Sequence, residues 1–296
     1  ALVRHDGRLP ANMTAVLPEA AVWDLSRDKL RMGELAASLG IQRPRTFCPK
    51  GEDEAAAAAS AVGYPCVVKL RSGCGGVGRR YVRDEPELRA LFRSRKDNSD
   101  PVFDFEHLLV QERICGEQQD VCIMAVRGEP RALYMQRKVR TWPVDGGRVV
   151  IAETIENPAL REAALTLLRA LHWHGPVEME FCIARQSGDA YLLDVNGRFW
   201  GGLGLALAAG LDLPSMYCRI ALDGDVEPRL RYPVGVRYRW PLPFFAATLL
   251  KDSRPWRVAW DFLGPRRATF SDLSWRDPLP ALAEVLYHAI WSLTPR

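Results

Sequence analysis

A chain of 296 residues, 48% hydrophobic and 26% charged, can hold two or three compact subdomains around a substantial core. Its 40 basic residues against 36 acidic leave a net charge of only +4, which gives no argument for nucleic acid or a membrane surface as partner. The seven cysteines are odd in number and form no C-x-x-C pair, which speaks against a disulfide framework or zinc site and suits reduced thiols in a cytoplasmic protein. No run approaches the roughly 20 apolar residues of a membrane span, there is no signal-peptide pattern, and the opening at Ala1 reads as a processed or partial form.

Residues 1 to 25 carry weak periodicity and two prolines, and read as the end of another domain. A helix is expected over Asp28 to Leu39, with Ser26 as N-cap and Gly40 as stop. An extended connection follows to Thr46, then a helix over Asp53 to Val62. Next come a strand, Cys66-Val67-Val68-Lys69-Leu70, a glycine loop from Gly73 to Gly78 and a strand around Tyr81-Val82. Beyond a helix over Pro86 to Ser94 and a polar loop from Lys96 to Asp104, strands are expected at Leu108–Arg113, Asp120–Val126 and Arg131–Arg140, with turns at Cys115-Gly116 and Arg127-Gly128. A helix over Pro158 to Leu171 leads to a hairpin; Gly201-Gly202 opens an apolar helix through Ala209, and another starts near Pro214. This order is α+β, without a long-range repeat. The tail from about Arg231 carries Trp240, Trp256, Trp260, Trp275 and Trp291 of the nine tryptophans and ends in an apolar helix, Ala281 to Leu293. It reads either as a partner-facing segment or, with more weight, as aromatics packed on the main body.

The hairpin is the most informative element. Val177-Glu178-Met179-Glu180-Phe181-Cys182-Ile183 and Tyr191-Leu192-Leu193-Asp194-Val195-Asn196 flank Ser187-Gly188-Asp189 turn chemistry. Alternation puts Val177, Met179, Phe181, Ile183, Tyr191, Leu193 and Val195 on one face, and Glu178, Glu180, Asp194 and Asn196 on the other. A turn centred on Ser187 sets Glu180 opposite Asp194 and Glu178 opposite Asn196. Carboxylates about 5 Å apart across strands repel unless a cation lies between them, and magnesium suits one or two carboxylates completed by phosphate and water. The other reading is the wet face of a half-buried antiparallel sheet.

Gly73, Gly75 and Gly78 satisfy G-x-G-x-x-G, but Arg79-Arg80-Tyr81-Val82 reads as a returning strand where a dinucleotide fold needs a helix. The chain has neither H-R-D nor D-F-G, and no G-x-x-x-x-G-K-[ST]. What remains is a glycine hairpin whose amides can close over phosphates, with Lys69 aimed at the same place, or a plain flexible turn. Lys138 and Arg140 alternate onto one face, either to receive an anionic substrate or oxyanion or as a solvated edge, beside a Pro143 to Gly147 loop. His172 and His174 have no partner that completes a metal set and are assigned to structure.

In this order the motifs resemble the ATP-grasp superfamily, in particular its stand-alone carboxylate–amine ligases, related to biotin carboxylase and carbamoyl phosphate synthase. The resemblance runs from about Asp24 to Asp223, and more loosely to Gly235–Trp240. It implies an ATP-grasp fold with a small glycine-loop lid subdomain and a larger metal-binding subdomain, the usual N-terminal domain being largely absent. The implied divisions are a remnant over 1–25, a linking helix over 26–46, the lid over 47–110, the catalytic subdomain over 111–230 and a Trp-rich extension over 231–296. Arg27-Asp28-Lys29 resembles the family's aspartate–lysine opening, with Lys29 on the phosphates. Lys69 resembles the lid's phosphate lysine, beside Gly73, Gly75, Gly76 and Gly78. Val110-Gln111-Glu112-Arg113-Ile114 resembles the hinge, where Glu112 and the backbone of Arg113, Ile114 and Cys115 would contact adenine. Glu180, Asp194 and Asn196 would hold magnesium or manganese, and Arg198 would steady the carboxylate or acyl phosphate. Gln118 stands where a ribose-binding glutamate is usual, and Asp194 where a longer carboxylate is usual.

The resemblance implies phosphorylation of a carboxylate by ATP, with ADP released and an amine attacking the acyl phosphate; lysines and the metal neutralise the transferring phosphoryl group. The implied partners are small-molecule carboxylates and amines and, as an open possibility, a second copy of the chain; nucleic acid and membrane are not expected. The rivals are a nucleotide-binding module that lacks independent catalysis, and an enzyme that uses bicarbonate or makes a phosphorylated product.

Overall fold

The computed structural model describes residues 13–73, 78–94, 107–142, 147–240, 248–249, 254–263, 269–271 and 276–293. Gly75 and Gly76, the stretch from Lys96 to Asp104, residues 143–146 and Trp275 lie outside the described residues.

Two helices lead in, α1 (Ala20–Arg27) and α2 (Lys29–Ser38). Ser26 was the expected N-cap of the second, but its hydroxyl donates to the Trp23 carbonyl at 2.8 Å and closes α1. The cap of α2 is Asp28, whose carboxylate accepts from the backbone N–H groups of Leu30 and Arg31. The same carboxylate takes a two-pronged contact from Arg71 at 2.9 and 2.6 Å, which fastens the start of α2 to the strand leading into the glycine loop.

The smaller sheet is antiparallel, in the order β1 (Thr46–Phe47), β4 (Leu108–Gln111), β2 (Cys66–Leu70), β3 (Arg80–Val82). Helices α3 (Glu52–Val62) and α4 (Glu85–Ser94) cover it, with Ala55, Ala59, Cys66, Val68, Leu88 and Val110 in a shared core. The alanine run of α3 favours helix, and Glu52, Asp53 and Glu54 in its first turn complement the helix dipole.

The larger sheet runs in the order β11 (Thr269–Ser271), β10 (Arg237–Arg239), β7 (Arg148–Ile155), β6 (Glu129–Trp142), β5 (Gly116–Val126), β8 (Gly175–Ala184), β9 (Ala190–Asn196). Its pairs are antiparallel except β10 with β11. Strand β7 had no counterpart among the sequence expectations. One face packs on α5 (Pro158–Ala170) and α2 through Val121, Leu133, Met135, Leu167, Trp173, Val177, Met179 and Phe181. Part of the other face packs Cys122, Met124 and Tyr134 beneath α6 (Leu203–Ala208) and α7 (Leu213–Asp223). Farther along, α8 (Pro255–Leu263) seats Val258 and Phe262 on Val150 and Ile151, and α9 (Leu279–Leu293) follows. Among the described residues no helix is long and apolar enough to cross a membrane, and Cys48, Cys66, Cys115, Cys122, Cys182 and Cys218 are free thiols.

Candidate active site

Glu180 pairs with Asp194 across β8 and β9, and Glu178 with Asn196, in the register expected of the hairpin. The register then shifts, because Phe181 faces Leu192 and Leu193 is an extra residue. Leu193 therefore does not join the apolar face to which alternation assigned it. Leu192 enters the core instead, while Leu193 lines the cleft and turns its carbonyl towards Lys69, whose Nζ donates to it at 3.4 Å.

The acidic face of the hairpin continues into β5 and β6, where Asp120 lies opposite Glu180 on one side and Gln136 on the other. Asp120 is fully buried; Lys138 Nζ sits 3.3 Å from its Oδ1 and 3.1 Å from Glu180 Oε2, and Gln136 donates to its Oδ2 at 2.9 Å. Burial lifts the Asp120 carboxyl to about 6, with the Lys138 ammonium pulling the other way. At Glu180 burial also acts upward, yet Lys138 and the Asn196 amide, which donates at 2.8 Å, hold the carboxyl below its ordinary value. Burial, with Glu180 and Asp120 adding to it, pushes Glu178 well above the carboxylate range. Burial acts downward on Lys138, but Asp120 and Glu180 outweigh it and raise its ammonium above the ordinary lysine value.

Over this floor stands a cleft of about 1660 Å³, lined from both sheets. Lys29, at the start of α2, places Nζ 3.3 Å from Asp194 Oδ2 and 2.6 Å from the carbonyl of Gly73, at the root of the glycine loop. Lys69 approaches from β2; burial lowers its ammonium to about 8, against the pull of Asp194. Arg198 donates to Asn196 Oδ1 at 3.4 Å and to the Phe199 carbonyl at 3.0 Å. The segment from Glu112 to Gln118 also lines the cleft. Gly116 is required there, since a Cβ would stand 1.9 Å from the Ile183 carbonyl oxygen. Glu112 is held by Arg45 through Nε at 3.0 Å and backbone N–H at 3.2 Å, and the Arg113 guanidinium lies 4.9 Å over the Tyr81 ring.

Lys138 and Arg140 both line the cleft, but each is already answered by carboxylates of the protein. Register shifts on both sides of Arg140 separate them: Lys138 serves the carboxylates of the floor, and Arg140 Nε donates to Asp261 of α8 at 2.8 Å.

Residues 28–228 match the family model described as carbamoyl-phosphate synthase L chain, ATP binding domain. The chain belongs to this family. Its fold is the ATP-grasp fold. Acetyl-CoA carboxylase 1 of Oryza sativa subsp. japonica is 29% identical over 173 residues, which are 56% of this chain and 7% of that protein. A biotin carboxylase of Campylobacter jejuni, solved as a complex with beta-gamma-ATP, superposes with a TM-score of 0.68 at 18% identity, over 80% of this chain and 54% of that one. An L-amino acid ligase of Bacillus licheniformis does so with a TM-score of 0.54 at 16% identity, over 75% and 52%. The chain thus spans about half of these solved structures and a small part of the plant carboxylase.

The donor set of this ATP-grasp cleft fits a hard cation. Glu180 and Asp194 present carboxylate oxygens from adjacent strands. That suits an ion that keeps waters and phosphate oxygens. Asn196 Oδ1 accepts one long contact from Arg198 at 3.4 Å and keeps a second lone pair for such an ion. The sequence reading missed Asp120, Gln136, Arg71 and Asp261. The first two were detectable only as polar residues in otherwise apolar strands, and Arg71 and Asp261 gave no local signal.

Proposed function

We propose that the chain is a ligase that uses ATP and magnesium to phosphorylate a carboxylate, releasing ADP, and passes the acyl phosphate to an amine. The observation that carries this reading is convergence: Lys29 and Lys69 enter one cleft from separate elements and meet Asp194 and the backbone beside it. Cations on one side and paired carboxylates on the other are what a nucleotide triphosphate with its metal requires. In this reading Lys29 and Lys69 hold the phosphates, Glu180, Asp194 and Asn196 hold the metal, and the backbone of Arg113 to Cys115 with Glu112 and Gln118 receives the nucleoside. Arg198 steadies the acceptor carboxylate. Magnesium, when bound, neutralises charge on the transferring phosphoryl group. Residues 47–110 act as the lid that excludes water from the acyl phosphate, over a catalytic part in 111–230.

A second reading takes bicarbonate as the acceptor, supported by the likeness to a biotin carboxylase domain of Hydrogenobacter thermophilus solved with MgADP and bicarbonate. Purified protein with ATP, magnesium and a panel of amino acids and other carboxylates is expected to release ADP when the right carboxylate is present. Release with bicarbonate alone favours the second reading; ATP binding without release in any arm reduces the chain to a nucleotide-binding module. Asp194→Asn is expected to abolish release with only a modest loss of stability, and retained turnover would remove Asp194 from the metal site.

A further inference from the structure

The match to the family ends at residue 228, yet the cleft does not. Trp240 and Glu284, both beyond that point, line it. Trp240 is fixed by its backbone N–H, which donates to the Val150 carbonyl at 2.9 Å, and by its ring, 4.5 Å from that of Tyr238. Helix α8 is fastened to the sheet by the Arg140–Asp261 pair, by Arg237 at 3.9 Å from Asp261 and by an Arg239 contact to the Phe262 carbonyl. Glu284 comes from α9, the next helix.

Glu284 differs from the other acids of the cleft wall. Glu112 is matched by Arg45, Glu117 by Arg137 at 3.8 Å, Glu180 by Lys138 and Asp194 by Lys29, while Glu178 receives the Asn196 amide. Among the described residues Glu284 has no hydrogen bond and no ion pair, although the cleft is rich in lysine and arginine. A carboxylate that no cation among the described residues takes, in a cleft that also offers an indole ring, is chemistry for an incoming cation. ATP and a carboxylate are anions and are served by the lysines, so the cation is the remaining substrate.

Resting on the ligase reading, we infer that Glu284, with Trp240, receives the acceptor amine as its ammonium ion, which gives up one proton to the Glu284 carboxylate or to water before the free amine attacks the acyl carbon and phosphate leaves, and that this extension is the part of the chain that selects the nucleophile. The test uses the whole chain with saturating ATP and magnesium and the carboxylate that releases ADP best. Ethylamine, a cation near neutral pH, is compared with hydroxylamine, which is neutral there and traps acyl phosphates as hydroxamates. Glu284→Gln is expected to lower the preference for ethylamine over hydroxylamine about tenfold or more through the KM for the amine, with the KM for ATP moving less than about twofold. Glu284→Asp is expected to recover part of that preference. An unchanged preference in Glu284→Gln overturns the inference, as does an equal loss with both nucleophiles, which marks a structural role. Hydroxamate formation by the unaltered protein without any gain from ethylamine overturns the inference alone and leaves carboxylate activation standing. Absence of ADP release with every carboxylate overturns the ligase reading itself.

Discussion

On the small-sheet wall of the cleft, Lys69 reaches the carbonyl of Leu193 at 3.4 Å, and burial lowers its ammonium to about 8. On the large-sheet floor, Lys138 lies 3.3 Å from Asp120 and 3.1 Å from Glu180, and those carboxylates raise its ammonium in spite of burial. Both are lysines in apolar strands. They differ in what the opposite strands supply. The floor is balanced internally, with its charges paired before any ligand arrives, whereas the wall keeps a poorly compensated cation whose cost a phosphate would offset.

The largest effect should come from the floor. Lys138→Ala leaves Asp120 and Glu180 buried without their cation, and the loss is expected to be about 3–5 kcal/mol in urea unfolding. A loss below about 1 kcal/mol would mean that the floor tolerates its own charge and that the contrast between the two lysines is false. Lys69→Met removes a desolvated cation instead of a partner. Stability should hold or rise slightly, while the KM for ATP rises about tenfold to a hundredfold, as for loss of a charge-assisted phosphate contact.

The pH dependence separates the two lysines further. The ordinary lysine value is 10.5 and that of Lys69 in the folded chain is about 8. Between those values the unfolded chain binds a proton that the folded chain has shed, so stability rises with pH across this window, and the penalty is complete below about 8. Lys69→Met should flatten that rise. ATP favours the charged lysine, so the affinity of the unaltered protein should fall as pH passes 8, and Lys69→Arg, charged throughout, should abolish that fall. Lys138 has the opposite sign: its contribution is complete below 10.5 and is lost only as pH rises through its higher folded value.

Much of the fold was legible because local pattern and tertiary packing agree. In β8 the strict alternation of Glu178, Glu180 and Cys182 with Val177, Met179 and Phe181 matches one buried face and one cleft face, and no bulge interrupts it. In β9 Leu192 and Leu193 are both apolar, so pattern alone cannot say which turns inward; the bulge decides it. Strand β7 was missed because Val149-Val150-Ile151-Ala152 is a continuous apolar run, and its partners are β6 and the distant β10. Asp120 escaped for a related reason. Its meaning comes from Gln136 and Lys138 on the next strand, and one acid at the end of an apolar run carries no sign of the cation that answers it.

The smallest effect should be at Arg45, which provides an exposed counterpart to the buried pair. Its guanidinium meets Glu112 at 3.0 Å, closer than Lys138 meets either carboxylate, yet 58% of the Arg45 side chain is open to water. If distance set the energy, Arg45→Ala would rival Lys138→Ala. Solvent screening predicts otherwise: although the guanidinium also donates to the Ala61 and Val62 carbonyls at the end of α3, the unfolding midpoint should shift far less than in Lys138→Ala. The freed Glu112 stays in contact with solvent and keeps the Arg45 backbone N–H as a donor, so its carboxylate remains ionised at neutral pH. The KM for ATP should rise only about twofold to fivefold, because what is lost is the orientation of a cleft-lining carboxylate and not a phosphate contact. A stability loss comparable to that of Lys138→Ala would show that burial does not set the strength of these charge pairs, and the desolvation cost assigned to Lys69 would lose its physical basis.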